Sequence, residues 1–406
     1  MDDRSVLRNR EFLILWCGNG LSEVGTAAVR VACPVLALTI SGSPATAGWM
    51  ALAVGLPALL GQVPAGLVAD LVDRRRTMLA CRALSLVATV SAAVALLVDA
   101  RAALAVLFVA AFLDSLASTF FNMAEYTAVR DVTTEAQRPT AYAWYQAETP
   151  VAVMLGRTLG GGLLTVGRAV PFLVDAVSNV VCLLALLALP RRRLAARTRR
   201  ERTPLVAGVV EGFRWMWAVP LIRISTLVTG LTNALFQGVI LLVIVVMTEQ
   251  RQSGWGLGAV LAASGVGGVL GAAAAPRLLR RFGPERVYAL SLWGWAVALV
   301  VVAAVPHPYA LAPAWAAVGG IGAVSSVAMT VIRLRSVPEE TFGRMLGAVA
   351  LVTDGLGPLG GVVVGYLLAA AGSRVTGWAL AGAMVVTCLL GHRALAAGRR
   401  AAVPVP

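Results

Sequence analysis

Lysine is missing from all 406 residues, so each of the 34 basic side chains is an arginine. Histidine is nearly missing as well: His307 and His392 stand far apart, which leaves no constellation able to hold a metal. The five cysteines (Cys17, Cys33, Cys81, Cys182, Cys388) lie in or beside apolar runs with no paired spacing. They are expected as small buried hydrophobes, not as disulfides or ligands. No phosphate-cradling glycine loop and no nucleophile–base arrangement occurs, so an ATP-driven pump and a hydrolase both lack support, and neither enzyme activity nor a cofactor is expected. Charge itself is scarce at 13% of residues.

What fills the chain instead is apolar: 59% of residues are hydrophobic and the mean hydropathy is +0.82, far outside soluble averages. Apolar runs of about 20 residues, long enough to cross a bilayer, fall near 12–40, 46–69, 77–98, 102–123, 141–166, 169–190, 221–247, 256–279, 286–305, 309–332, 345–371 and 376–395. The reading is an all-α membrane protein of twelve spans. Met1 to Arg10 is short and polar without a cleavage site, so the first span is expected to stay attached.

A net charge of +14 raises the question of nucleic acid, and the placement of the arginines answers it. With both termini inside, only Arg101, Arg168, Arg251 and Arg374 fall outside, while Arg30, Arg82, Arg157 and Arg223 lie within or at the ends of spans. All the others face the cytoplasm, as retention of positive loops requires. Nucleic acid is therefore excluded as a partner, and a bacterial cytoplasmic membrane is the expected location.

The chain divides at residues 191–220 into an N-terminal bundle, 1–190, and a C-terminal bundle, 221–406. The basic run Arg191–Arg202 reads as a cytoplasmic linker that touches anionic lipid. Gly212-Phe-Arg-Trp215-Met-Trp217 follows it as an interfacial helix with tryptophans at headgroup depth. The two sides repeat each other faintly. Leu159-Gly160-Gly161 returns as Leu359-Gly360-Gly361, and the loop after the second span returns as Gly271 to Gly283, with Ala275 at the place of an acid. Such glycines serve close packing, rocking of the halves, or both.

That loop is Gly66-Leu-Val-Ala-Asp70-Leu-Val-Asp-Arg74-Arg75-Arg76. Gly66 is expected to let two helix backbones approach, Asp70 to meet a neutralising partner at the membrane face, and Arg74, Arg75 and Arg76 to anchor the turn inside. Between two membrane-length runs the pattern resembles the signature loop of the major facilitator superfamily of secondary transporters. Leu7 to Trp16, Ser22-Glu-Val-Gly25, Ser41-Gly-Ser, Gly343-Arg344 and Gly357-Pro358-Leu-Gly360 are similar, at matching places, to its branch of enterobactin exporters and macrolide efflux proteins. The resemblance implies two six-helix pseudo-repeat bundles in a monomer, and proton-driven efflux of small organic molecules. Three positions depart from the pattern. Thr26 stands where such exporters often carry an acid, Leu71 replaces an arginine after the loop acid, and Gly156-Arg157 replaces a Gly-Pro pair associated with antiporters.

An ionised side chain at bilayer depth costs about 2.5–3.5 kcal/mol even on the gentlest scale, so mid-span charges mark candidate sites. They are Glu23 and Arg30 in the first span, Asp114 in the fourth, Arg157 in the fifth, Asp175 in the sixth, nearer the outer surface, and Asp354 in the eleventh. Glu23 and Asp114 lead as proton carriers, because neighbouring acids in low dielectric cannot both ionise cheaply. Arg30 and Arg157 either neutralise those acids or meet an anionic substrate. Asp354 either pairs across the halves or holds a second proton. The bland alternative is a fixed ion network that only locks helices. The C-terminal half, poor in charge, is expected to offer a mainly apolar wall, with Phe236, Trp293, Trp295, Trp144 and Tyr145 as aromatic candidates for a substrate path. The functional reading is a proton-coupled exporter of a hydrophobic or amphipathic drug, antibiotic or siderophore-like metabolite. Its alternatives are an importer of the same fold and a scaffold or sensor that transports nothing.

Overall fold

A computed structural model describes residues 6–190, 205–305, 307–336 and 339–400. The linker Arg191–Arg202 and the side chains of Asp70 and Arg344 lie outside the described residues. Within them every regular element is a helix: α1 (Arg10–Ser41), α2 (Pro44–Leu71), α3 (Arg74–Val98), α4 (Ala100–Val132), α5 (Arg138–Val166), α6 (Val170–Ala188), α7 (Leu205–Ala218), α8 (Pro220–Glu249), α9 (Gly254–Phe282), α10 (Pro284–Ala304), α11 (Pro308–Ser336) and α12 (Glu339–Arg400). A bilayer leaves no water for backbone groups, so a spanning chain satisfies them within helices. The helix ends use local chemistry. Asn9 caps α1 through its side chain, Gly42 closes it in the left-handed region at φ 68°, and Pro44, Pro220 and Pro284 open α2, α8 and α10, where no N–H is needed.

Among the described residues, eleven helical stretches are long and apolar enough to cross a membrane. The last, Met345–Arg393, runs 49 residues, more than twice the length one crossing needs. Its helix breaks at Gly372, φ 75° and ψ 174°, and the two limbs of α12 on either side complete twelve spans. α4 reaches Val132, nine residues beyond the run expected from hydropathy, because polar Asn122, Glu125 and Tyr126 continue the helix without an apolar average.

Packing groups the chain into two units, residues 1–199 with 252–262 and residues 200–251 with 263–406. In the first, α1 is central and touches α2, α4, α5 and α6, while α3 packs on α4 and α6. A Cβ at Gly156 or Gly160 would strike the backbone of α1 at Val24 or Ala28, so α5 lies on α1 almost backbone to backbone. In the second, α8 lies on α12, α10 on α11 and α12, and α7 on α12. Gly360 presses the Ala234 carbonyl of α8 as Gly160 presses Ala28. The repeated Leu-Gly-Gly thus makes the same kind of contact in each unit.

Gly66 does not behave as the sequence led us to expect. A side chain added there would meet nothing within 4 Å. The face of α2 turned to α4 carries Gly61, Ala65 and Ala69 instead, and Gly66 lies one residue, about 100° of helix rotation, off that stripe. Its counterpart Gly271 is the close-packed one, with its α-carbon against the Gly320 carbonyl of α11.

Candidate functional site

The interior of the first unit is polar to a degree that apolar runs do not announce. Arg82 of α3 is fully buried. It is held not by a carboxylate but by two amides: Nη2 donates to Asn19 Oδ1 at 2.6 Å and Nη1 to Asn179 Oδ1 at 3.5 Å. Its Cζ lies 3.8 Å from the centre of the Phe121 ring, and its Nε makes no hydrogen bond among the described residues. Each amide passes the contact on. Asn19 Nδ2 donates to Glu148 Oε1 at 3.1 Å, and Asn179 Nδ2 donates to Asp175 Oδ2 at 2.9 Å. Ser22 also donates to Asn179 Oδ1 at 2.9 Å, and Thr26 to Asp175 Oδ1 at 3.4 Å. A single thread therefore runs from Glu148 on α5, through α1 and Arg82, to Asp175 on α6.

Around this thread stand three more buried acids. Glu23, Asp114 and Glu125 are 3%, 4% and 0% exposed. Glu23 Oε1, Asp114 Oδ1 and both oxygens of Glu125 lack hydrogen-bond partners among the described residues. All five carboxyls lie within electrostatic range of Arg82, and Glu23 and Asp114 within range of each other. Arg30 is half-buried and faces both Asp114 and Arg157. Every mid-span charge expected in this half belongs to one electrostatic neighbourhood. Asp175, near the start of α6, is fully buried, its carboxylate accepting from Thr26 and Asn179.

Three members of the neighbourhood were not singled out from sequence. Glu125 falls beyond the hydropathic end of the fourth run, Glu148 sits near the start of the fifth, and Arg82 reads as one more basic residue near a span end. The usable signal was a polar residue on a helix that does not stop at its apolar boundary.

The signature loop is a clamp in this structure. Asp73 caps α3 by accepting from the Arg76 N–H at 2.9 Å. Arg74 forms an ion pair with Asp131 of α4 at 3.1 Å, and Arg75 donates to the Leu186 and Leu187 carbonyls of α6 at 3.2 and 3.0 Å. A cation on the last carbonyls of a helix also meets the negative end of its dipole. Arg76 stays exposed.

The second unit carries a cavity of about 380 Å³ bordered by α8, α10, α11 and α12. Its walls are mainly apolar, as expected, with a polar minority. Phe236 and Trp295 share them with Asn233, Ser325, Arg333 and Asp354, because polar side chains spaced through three helices turn to one point. Phe236 stacks on Trp315 at 4.9 Å, and Trp295 donates to the Val318 carbonyl at 2.9 Å. Arg333, one residue past the tenth apolar run, is a cation that hydropathy assigned to a loop. Trp293 is exposed on the outer face of α10. Trp144 and Tyr145 pack near the start of α5, where the Trp144 carbonyl accepts from Trp16 at 3.3 Å and the Tyr145 hydroxyl donates to the Asn122 carbonyl at 3.3 Å.

Residues 15–281 and 226–403 match the family model of the Major Facilitator Superfamily. The multidrug efflux pump Tap of Mycobacterium tuberculosis is 29% identical over 401 residues, 96% of this chain and 94% of its own. The enterobactin exporter EntS of Salmonella typhi is 26% identical over 341 residues, 83% of this chain and 80% of its own. Among solved structures, the nucleoside transporter NupG superposes with a TM-score of 0.78 at 15% identity, covering 95% of this chain and 98% of its own. That last likeness is one of fold alone.

Proposed function

Because this chain belongs to the major facilitator superfamily and is a multi-pass membrane transporter, we propose that it exports a hydrophobic or amphipathic small molecule in exchange for protons, by alternating access. The observation that carries the coupling is the crowd of Glu23, Asp114, Glu125, Glu148 and Asp175 around the buried guanidinium of Arg82. Even with Arg30 and Arg157 beside it, Arg82 makes only three cations against five carboxylates, and each unbalanced charge in apolar surroundings costs several kcal/mol. The set therefore holds protons, and a change in access changes how many. Glu23 and Asp114 carry the exchanged proton in this reading, and Arg82 is the fixed charge beside them. The direction follows the multidrug efflux pump and the enterobactin exporter that the chain resembles over most of its length. Both termini and the basic linker lie in the cytoplasm, on the distribution of arginines. The pseudo-repeat halves are residues 1–190 and 221–406, and the working form is a monomer.

The test uses the whole protein and an amphipathic fluorescent dye panel. In inverted membrane vesicles with an acid lumen, dye is expected to accumulate and to leave when the gradient collapses. Accumulation in right-side-out vesicles instead would make the protein an importer. Glu23→Gln and Asp114→Asn are expected to abolish uphill transport while dye exchange at equal pH survives. A purely structural network predicts otherwise, with exchange, uphill transport and thermal stability falling together in both variants.

A further inference from the structure

The cavity of the second unit has a polarity the transporter reading does not require. It borders on one cation, Arg333 of α11, and one acid, Asp354 of α12. Among the described residues no ion pair joins the two. Nε and Nη2 of Arg333 are closed off from solvent and from the cavity and make no hydrogen bond among the described residues, so Arg333 borders the cavity by its other atoms. A guanidinium so poorly satisfied is stabilised by an anion brought close to it, where a low dielectric strengthens their attraction. Asp354 is an exposed residue whose carboxylate accepts, among the described residues, a bond of 3.4 Å from the Thr353 hydroxyl. The same cavity is bordered by the aromatic side chains of Phe236 and Trp295. A volume of about 380 Å³ falls within the range of small-molecule sites.

We propose that this cavity binds a zwitterionic group attached to an aromatic or otherwise flat apolar body, its anion on Arg333, its protonated amine on Asp354 and its ring beside Phe236 and Trp295. This rests on the reading of the chain as a transporter and names the substrate class for it. Two opposite charges that do not meet each other are satisfied together by one ligand carrying both, and a purely lipophilic cation would leave Arg333 unanswered. The hydroxyl and amide groups of Ser325 and Asn233 supply hydrogen bonds along the same wall.

The test is equilibrium binding to the purified full-length protein in lipid nanodiscs, with no gradient. Three fluorescent probes differ by one group each: Nε-dansyl-lysine, a zwitterion; its methyl ester, a cation; and its Nα-acetyl derivative, an anion. Wild type is expected to bind the zwitterion most tightly. Arg333→Gln is expected to weaken the zwitterion and the anion by about tenfold or more while sparing the ester, and Asp354→Asn to weaken the zwitterion and the ester while sparing the anion. Arg333→Lys, which keeps the charge but loses the flat fork, is expected to retain the preference for the anion at reduced affinity, and it covers the case in which Arg333→Gln folds poorly. Equal affinities for the three probes, or no binding of the zwitterion, would overturn the proposal. Dye export in vesicles is measured separately, so its failure with charge-selective binding intact would refute the transport reading and leave the site standing.

Discussion

The two halves of this protein solve the problem of charge in a membrane in opposite ways. In the first, five acids and the guanidiniums of Arg30 and Arg157 share a neighbourhood with the fully buried Arg82, and side-chain amides, not carboxylates, hold the Arg82 guanidinium in place. In the second, among the described residues, one cation and one acid border a cavity without pairing with each other. An amide interposed between arginine and acid keeps the arginine fixed whatever the protonation of the acid. Charges that border a cavity wait for a partner from outside. Under the proposals made above, one half changes its proton count with its geometry intact and the other receives a ligand.

Removing Arg82 is the sharpest way to break that contrast. Arg82→Gln strands buried acids and removes the partner of both Asn19 and Asn179. Breaking a buried charge arrangement from one side costs about 3–5 kcal/mol, so a large fall in melting temperature in detergent is expected. Arg333→Gln in the other half, where only two nitrogens lose an already unsatisfied position, is expected to change melting temperature far less. Equal losses in the two variants would mean that the halves do not differ in this way.

How much of this was legible beforehand follows from what hydropathy measures. It averages over a window, so it found the spans, the broken final helix as two runs, and the lone acids Glu23 and Asp114 within apolar stretches. It does not see which face a polar residue takes. Glu125 lay past an apolar boundary on a helix that continued, and Arg333 one residue past another. The partners of Arg82 lie 63 and 97 residues away in the chain, on helices whose adjacency no local pattern encodes. Gly66 failed for a related reason, since the loop pattern predicts close approach but not the side of the helix on which it happens.

The paired loops allow a second, intermediate test. Gly271→Val places a branched side chain on the Gly320 carbonyl of α11, and overpacking of this kind costs about 1–3 kcal/mol. Gly66→Val meets open space in this structure and is expected to leave melting unchanged. Strong loss of transport in Gly66→Val at unchanged stability would locate its role in another conformation of the cycle, where that face is covered. Loss of stability in Gly66→Val would contradict the placement of α2 described here.

The smallest expected effect concerns the arginines that end the same loops. Arg75 is buried and bonded to the last carbonyls of α6, whereas Arg280, at the corresponding place in the second copy, is exposed. Losing a cation on a helix C-terminus in a partly buried setting costs about 1–2 kcal/mol, so Arg75→Gln is expected to lower the melting temperature by a few degrees and Arg280→Gln not at all. Transport separates the clamp from a mere anchor. If holding α3 to α6 stiffens the first half as it moves, Arg75→Gln slows dye exchange while leaving probe affinity in the second-half cavity within twofold of wild type, about 0.4 kcal/mol. An exchange rate equal to that of Arg280→Gln would reduce Arg75 to topology alone, a positive charge kept on one side of the membrane.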